Sequence, residues 1–257
     1  MPQHYDDPAF SYEGYWSGRG YEQQAEIMAL KRLLLGQKFY RAADIGGGFG
    51  RLTGLLKQYS RQTMLIEPSV KQRRLARKYL SPKSRIAILP GHVQKTKLPP
   101  ASLDLVLLVR VMHHLPDPSA AFREIHRILK PGKFLVLEFA NSFHFKSRLL
   151  SFVTGQPILL TPIERRSPAN IKKETIPFVN HHPETIIKLL TRSGFTPVKF
   201  LSVSNLRYPR IKQFLPPNWL IALEYAFQPL LSSVFFGPSI FVLARKNEIP
   251  KKTPQNL

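Results

Sequence analysis

The sequence predicts an α/β fold in which helices cover both faces of a mostly parallel β-sheet. Short apolar runs alternate with segments of helical periodicity between residues 40 and 139. These runs are continuous stretches of Val, Ile and Leu, which is typical of strands that are buried on both faces. A glycine-rich turn follows the first run, where a strand passes into a helical pattern and where open α/β sheets bind ligands. Together these observations favour one α/β domain.

The predicted elements follow one another in a regular order. After an aromatic and polar start, a helix is predicted over Gln23–Leu35. Strands are then predicted at 40–45, 63–67, 85–89, 103–109 and 133–139, and helices at 49–59, 70–80 and 119–129. Pro131 and Gly132 stop the last of these helices.

The second half of the chain is less regular. Residues 141–182 are rich in aromatic, proline and basic residues, and no regular element is predicted there. A helix at 183–194, a strand at 197–203, an apolar helix within 206–236 and a last strand at 239–246 follow. Because no linker separates these parts, we predict one domain over residues 41–247, with insertions at about 141–182 and 206–236 and a disordered tail at 248–257.

One apolar stretch, Trp219–Ala244, is long enough to span a bilayer. Glu224, Pro229 and Pro238 interrupt it, so we interpret it as a helix followed by a strand, with a membrane span as the alternative.

The composition restricts the classes of function. The absence of cysteine excludes disulfides, thiolate zinc sites and cysteine nucleophiles. The start of the sequence has no signal-peptide pattern, so we expect a cytoplasmic protein. The net charge of +22 attracts nucleic acid, an anionic membrane surface or acidic substrates. The basic cluster at 71–78 is either the solvated face of a helix that packs through Val70, Leu75 and Tyr79, or a polyanion site.

The glycine-rich turn, "DIGGGFG", is the first candidate site. A phosphate-binding loop would need a lysine followed by serine or threonine, which is absent here, and the third glycine of the dinucleotide fingerprint falls on Arg51. The spacing that fits is acid-x-Gly-x-Gly-x-Gly, formed by Asp44, Gly46, Gly48 and Gly50.

With this turn, the stretches "MLIEPS", "PGHVQ" and the run from Leu98 to Phe139 occur in an order that resembles class I S-adenosylmethionine-dependent methyltransferases. The most similar branch is the small-molecule group that includes quinone C-methyltransferases, the methyltransferase type 11 group. The resemblance covers about residues 41–139. It implies a Rossmann-like fold with a seven-stranded, mostly parallel sheet, an antiparallel last strand and helices on both faces. It also implies S-adenosyl-L-methionine as the cofactor and a helical lid over residues 1–40.

The resemblance assigns cofactor-binding roles to several residues. The glycine turn would lie against the aminoacyl end of the cofactor, with Asp44 holding the amino group directly or through water. Glu67 would accept both ribose hydroxyls, and a carboxylate has acceptors enough for two donors. His92 replaces the usual acid near the adenine, so the contact comes from its ring or from the backbone at His92 and Val93.

The segment from Arg110 to His114 would face the methyl group. His113 and His114 are candidate general bases if the acceptor must lose a proton, and the alternative is that they pack or cap. Glu138 is a weaker candidate. His181 and His182 are predicted to cap a helix or to belong to a substrate lid, and no metal site is predicted.

The aromatic N-terminal segment is a candidate lid. Tyr15, Trp16, Arg19 and Tyr21 are predicted to close the pocket, with Arg19 pairing with the cofactor's carboxylate. The alternative is that these aromatic residues tie the terminus to the core.

The sequence leaves three functions open. The first is methylation of a small or lipid-like acceptor, hydrophobic or anionic, near an anionic membrane surface. The second is RNA methylation, against which the sequence lacks an Asn/Asp-Pro-Pro-Tyr-type motif, a cysteine nucleophile and an RNA-binding module. The third is cofactor binding without catalysis, although nothing in the donor motifs looks disrupted.

Overall fold

The computed structural model describes residues 2–173 and 175–248. The strands of this part of the chain are β1 (Phe39–Ile45), β2 (Ser60–Ile66), β3 (Ala87–Leu89), β4 (Leu103–Leu108), β5 (Leu129–Ala140), β6 (Ile163–Glu164), β7 (Val179–Asn180), β8 (Phe195–Val203) and β9 (Ser239–Lys246). Seven of them form one sheet in the order β3-β2-β1-β4-β5-β9-β8, and β6 pairs with β7. Strands β1 to β5 are parallel, whereas β9 runs antiparallel to both neighbours. The predicted mostly parallel sheet with an antiparallel last strand is confirmed.

Helices lie on both sides of the sheet. The helices of the described residues are α1 (Pro2–Asp6), α2 (Tyr12–Ser17), α3 (Gly20–Leu33), α4 (Thr53–Leu56), α5 (Val70–Tyr79), α6 (Ser119–Ile128), α7 (Phe145–Thr154), α8 (Pro168–Lys172), α9 (Pro183–Arg192), α10 (Pro209–Phe214) and α11 (Pro217–Leu230). Helix α3 packs on one face of the sheet and α11 packs on α3 and β8, while α6 and α9 pack on the opposite face.

Strand β4 explains why the apolar runs are continuous. Leu105 and Leu107 belong to the core on the α3 side, and Val106 and Leu108 belong to the core on the α6 side. Because successive side chains of a strand point to opposite faces, a strand covered on both faces needs apolar residues at every position. The two cores hold the central strands in place and leave their carboxyl ends at one edge of the sheet.

The predicted helix over 49–59 is wrong in length, because only Thr53–Leu56 is helical. Gly50 has a φ of +88°, which a right-handed helix cannot contain. Four-residue turns, such as the one closed by the hydrogen bond from Thr53 N to Gly50 O, occupy the rest of the segment. The chain then enters β2 at Ser60.

Residues 141–182 also differ from the prediction, because they contain α7, α8 and the β6–β7 pair. Helix α7 has no buried residue, and its apolar side chains, among them Leu149, Phe152 and Val153, are exposed. His144 caps its N-terminus by accepting from the Ser147 amide.

Helix α5 packs through a face other than the predicted one. Val70 and Tyr79 are exposed, whereas Gln72 and Ala76 are buried. Ser69 caps this helix by accepting from Gln72 N, and this start turns positions 72 and 76, one helical turn apart, toward the protein interior.

At the termini, the predicted helix over 23–35 is α3, which begins three residues earlier than expected. The predicted disordered tail lies outside the described residues apart from Glu248. The stretch from Trp219 to Ala244 is a helix followed by a strand, as predicted. Among the helices described, none has the length and apolar character needed to cross a membrane.

Candidate active site

The glycine turn lies at the carboxyl end of β1 and needs three residues without side chains. Gly46, Gly48 and Gly50 have φ values of +71°, +58° and +88°, a region that favours glycine. A Cβ on Gly46 would lie 2.5 Å from Val111, one on Gly48 2.9 Å from Tyr12, and one on Gly50 2.6 Å from Leu80. Gly46 and Gly48 line a cleft above the sheet, whereas Gly50 packs against Leu80 and supports the turn from behind.

Glu67 follows β2 and lines the same cleft. Its side chain is buried, and its two oxygens accept hydrogen bonds from Gly48 N at 3.0 Å and Ser69 N at 2.9 Å. Burial raises the pKa of Glu67 to about 7, although both hydrogen bonds act in the opposite direction. Each oxygen keeps a lone pair for another donor, so the carboxylate can accept two hydroxyls as well.

Asp44 lies beneath the turn and does not line the main cleft. It is buried, accepts from Thr53 Oγ1 at 2.6 Å, and lies so close to Gly47 that a Cβ there would be 2.5 Å from its Oδ2. Burial raises the pKa of Asp44 to about 6, against the hydrogen bond from Thr53. It borders a small side cavity next to Gly46 and Arg110.

Gln72 is a cleft residue that the sequence analysis missed. Only 1% of the residue is exposed, yet neither its amide oxygen nor its amide nitrogen has a partner among the described residues. Since a buried amide without partners is costly, this side chain is suited to a polar ligand in the cleft. His92 and Val93, which are predicted to lie near the adenine, line the cleft on the β3 side.

These features fit S-adenosylmethionine. Gly46 and Gly48 leave room for a ligand to pass close to the backbone, and Glu67 and Gln72 offer acceptors and a donor for its polar groups. We call this cleft, between Gly46, Glu67 and His92, the donor cleft.

Arg110 connects the donor cleft with a second cavity. It follows β4 with a φ of +62°, and its backbone N–H donates to Glu138 Oε2 at 2.9 Å. Its guanidinium forms an ion pair with the buried Glu26, which also pairs with Arg51. Glu138 accepts from Ser239 Oγ through its other oxygen. Glu138 is therefore a positioning group for Arg110, with both oxygens engaged.

The two candidate bases differ in their contacts. His114 Nδ1 lies 2.7 Å from the carbonyl oxygen of Pro177, and its Nε2 lies 2.6 Å from Tyr5 Oη. Because a carbonyl only accepts, Nδ1 carries the proton and Nε2 accepts from the tyrosine. Both nitrogens of His114 are therefore occupied.

His113 has no hydrogen-bond partner among the described residues, and it lines the second cavity. Burial, followed by the charges of His114 and Arg110, lowers the pKa of His113 well below its usual value. The imidazole is therefore neutral at physiological pH and has a nitrogen free to accept a proton.

Two further histidines have structural roles. His181 Nε2 donates to the carbonyl of Met112 and so holds the turn that carries His113. His182 caps α9 by accepting from Glu184 N, which confirms the predicted cap.

The predicted lid residues lie away from the donor cleft. Trp16 packs beneath Arg51, Tyr21 donates to Glu224, and Arg19 stacks on Tyr15 with its Cζ 3.9 Å from the ring centroid. Arg19 borders the second cavity, so the structure does not bring it to the cofactor position. Tyr5 and Tyr12 line the donor cleft in place of the predicted residues. Both lie in the aromatic N-terminal segment, so its composition indicated the region but not the positions.

Comparison with known proteins gives concordant results. The family model described as "Methyltransferase domain" matches residues 43–137. A ubiquinone/menaquinone biosynthesis C-methyltransferase of Rubrivivax gelatinosus is 28% identical over 111 residues, which cover 43% of each chain. A ubiquinone biosynthesis O-methyltransferase of Idiomarina loihiensis is 24% identical over 72% of this chain and 74% of its own length.

A solved structure from Thermotoga maritima, described as a SAM-dependent methyltransferase and possible histamine N-methyltransferase, superposes with a TM-score of 0.60. It is 20% identical in sequence and covers 92% of this chain and 94% of its own. At this identity the likeness concerns the fold, and the match to the first curated relative spans less than half of that protein.

Proposed function

We propose that the chain, whose residues 43–137 match a methyltransferase domain, is a class I S-adenosylmethionine-dependent methyltransferase. We propose further that it methylates a small acceptor of apolar or anionic character in the cavity beside the donor cleft. The observation that supports this most directly is the junction of the two spaces. Arg110 borders both, His114 faces the donor cleft, and His113 faces the second cavity.

On the donor side, Glu67 accepts the ribose hydroxyls while Gln72 supplies a further donor and acceptor. His92 and Val93 border the adenine end. Asp44 accepts a hydrogen bond from the cofactor's amino group, directly or through water, from the small side cavity below the turn. When bound, the cofactor supplies an electrophilic methyl group on a sulfonium, and the chain aligns the acceptor with it and excludes water.

His113 is the proposed general base for an acceptor that loses a proton. It is neutral, it faces the acceptor cavity, and its ring nitrogens have no partner among the described residues. His114 instead anchors the N-terminal segment through Tyr5. Because Tyr5 and Tyr12 lie over the donor cleft, we assign the lid within residues 1–40 to the stretch that contains them.

Two observations support a lipid-like acceptor. The curated relatives named above are methyltransferases of quinone biosynthesis by their descriptions. Helix α7, which follows β5 at the same edge of the sheet, exposes Leu149, Leu150, Phe152 and Val153, with Phe152 87% exposed. Lys146 and Arg148 lie on the same helix. We propose that this protein is cytoplasmic and binds the surface of an anionic membrane through this face of α7.

Vesicle binding tests the membrane contact. We expect the full chain to sediment with vesicles that contain anionic lipid. A double variant with Phe152→Ser and Val153→Ser should bind them several-fold less, because these substitutions remove apolar area from the contact. Tyr40→Ser, on an exposed aromatic residue of β1, serves as the control. Equal binding by all three proteins would contradict the proposal.

A combined binding and transfer experiment tests the function. Calorimetry should detect binding of S-adenosylmethionine and a loss of affinity of at least about tenfold in Glu67→Ala, because a charge-assisted hydrogen bond contributes about 1.5–3 kcal/mol. Glu13→Ala, at an exposed acid of α2, is the matched control. Wild-type affinity in Glu67→Ala would overturn the donor assignment.

Radiolabelled cofactor incubated with fractionated cell extract then identifies the acceptor. We expect label in the lipid or the polar-metabolite fraction. His113→Asn should lower kcat by roughly 10²–10⁴-fold with little change in cofactor affinity, whereas His126→Asn on α6 should not. Undiminished turnover in His113→Asn would exclude the base role, and absence of label from every fraction would favour cofactor binding without catalysis.

RNA methylation is the second candidate, and the net charge of +22 is the observation that favours it. Label recovered in the RNA fraction would establish it in place of the small-molecule acceptor.

A further inference from the structure

The second cavity is bordered by five cationic side chains. It has a volume of about 770 Å³, and its walls come from the α2–α3 junction, from residues 165–180 and from residues 207–212. The cations are Arg19, Arg110, Arg165, Arg207 and Lys212. We call it the cationic cavity. Its size suits a small molecule.

Acidic partners neutralise only part of this charge. Glu26 pairs with Arg110, and Glu22 pairs with Lys212 at 2.6 Å. Within residues 2–173 and 175–248, no carboxylate lies within 4.0 Å of the guanidinium of Arg19 or Arg207. Burial and the nearby charge of Arg110 lower the pKa of Arg207, as expected where positive charges crowd together. A bound anion would relieve this repulsion.

The cavity also contains a buried acceptor without a donor. Glu22 is 5% exposed, and Lys212 occupies its Oε1, but its Oε2 has no partner among the described residues. Leaving a buried carboxylate oxygen unsatisfied is costly, so a ligand with an N–H or O–H group is favoured at this point. The site therefore offers cations for an oxyanion and a carboxylate for a hydrogen-bond donor.

We infer that the acceptor is a small molecule with a carboxylate or phosphate that binds Arg19 and Arg207, and with a hydroxyl or amino group that donates to Glu22. The inference rests on the proposed function, because it names the acceptor of the same site. Guanidinium groups bind either oxyanion through paired N–H donors, so both sources of the oxyanion share one chemistry. The anchored acceptor lies beside His113, at the junction with the donor cleft.

Binding of simple probes tests the inference without knowledge of the acceptor. The full chain, saturated with S-adenosylhomocysteine, is titrated with benzoate, with phenyl phosphate and with uncharged benzyl alcohol. We expect at least one anionic probe to bind and the alcohol not to bind. The stronger anionic probe identifies the oxyanion.

Variants locate the binding. Arg207→Gln and Arg19→Gln should each lower the affinity for the anionic probe roughly tenfold, because each removes a charge-assisted contact. Arg210→Gln, at an exposed cation of α10 outside the cavity lining, should leave the affinity within about twofold. Equal weakening in all three variants would mean that only net charge matters, and would overturn the inference.

The Glu22 contact has its own readout. 4-Aminobenzoate should bind more tightly than benzoate, and Glu22→Gln should abolish this preference because the amide of Gln presents a donor as well as an acceptor. An unchanged preference would remove Glu22 from the inference.

Binding of S-adenosylhomocysteine distinguishes failure of the oxyanion inference from failure of the proposed function. If it binds normally and no anionic probe binds, the oxyanion inference fails while the methyltransferase function stands. If it does not bind, the donor cleft assignment and the proposed function fail.

Discussion

Gln72 and Glu67 both line the donor cleft, but only Glu67 can be predicted from the sequence. Glu67 is predicted because an acid ends an apolar strand at a characteristic distance from the glycine turn. Gln72 is missed because a glutamine within "KQRRLARK" looks like part of a solvated face. The structure buries it with its amide unpartnered. Local rules often fail where function requires a buried polar group, and we propose that explanation for Gln72.

The titration of Glu67 leads to a prediction at the same scale. Its pKa of about 7 in the free protein means that the carboxyl is half-protonated near neutrality. Ribose hydroxyls donate more strongly to the ionised form, so cofactor affinity should rise with pH through about 7 and fall by up to about tenfold per unit below it. Calorimetry between about pH 5.5 and 7.5 measures this, and Glu67→Gln should abolish the dependence. The same slope in the variant would contradict the assignment.

The raised pKa of Glu67 also makes the free energy of unfolding depend on pH. The folded pKa of Glu67 lies above its ordinary value of 4.5, so the folded state binds this proton more tightly than the unfolded state. Its effect on the free energy of unfolding is therefore most favourable below about pH 4.5 and is lost as the pH rises to about 7.

At the scale of elements, α1 is held over the donor cleft by the start of α5. Asp6 Oδ1 accepts from Ser69 Oγ at 2.7 Å and from Lys71 N at 2.9 Å. Tyr5 donates to His114, and Lys71 Nζ donates to the carbonyls of Asp7 and Phe10. These contacts are hydrogen bonds at the surface of the sheet domain and not packing within either apolar core, so this short segment can detach without disturbing the cores.

We therefore predict that Asp6→Ala speeds cofactor dissociation by roughly five- to thirtyfold, because it removes about 1–2 kcal/mol of hydrogen bonding from the closed segment. Stopped-flow displacement measures the rate. Asp7→Ala, whose exposed carboxylate accepts only from Ala9 N among the described residues, should change little. If both variants release the cofactor at the wild-type rate, α1 is not a lid.

The whole molecule carries a net charge of +22, whose effect depends on where the charges lie. The fold class and the position of the glycine turn follow from the apolar runs and the turn's own sequence, whereas the order of the strands does not. The cationic cavity does not, because Arg19, Arg165 and Arg207 are far apart in the chain and only the tertiary fold brings them together. The sequence does not predict helix α7 either, and its apolar residues are exposed.

This distribution predicts two different responses to salt. Retention on RNA depends on the summed surface charge and should fall steeply between about 50 and 200 mM salt, without transfer of label. Turnover of the small acceptor depends on cations within a cavity and should fall much less over the same range. Filter binding and radiolabel assays measure the two. Salt-sensitive retention on RNA together with transfer of label to it would reverse the assignment.

The described residues of the segment between β5 and α9 add no strand to the main sheet, yet Ile176 borders the donor cleft and Arg165 and Phe178 border the cationic cavity. Its sequence can therefore diverge while the parallel scaffold beneath keeps its geometry. Specificity for the methyl acceptor and binding of the methyl donor are thus separable traits of one polypeptide. Selection can change the acceptor without altering the donor cleft.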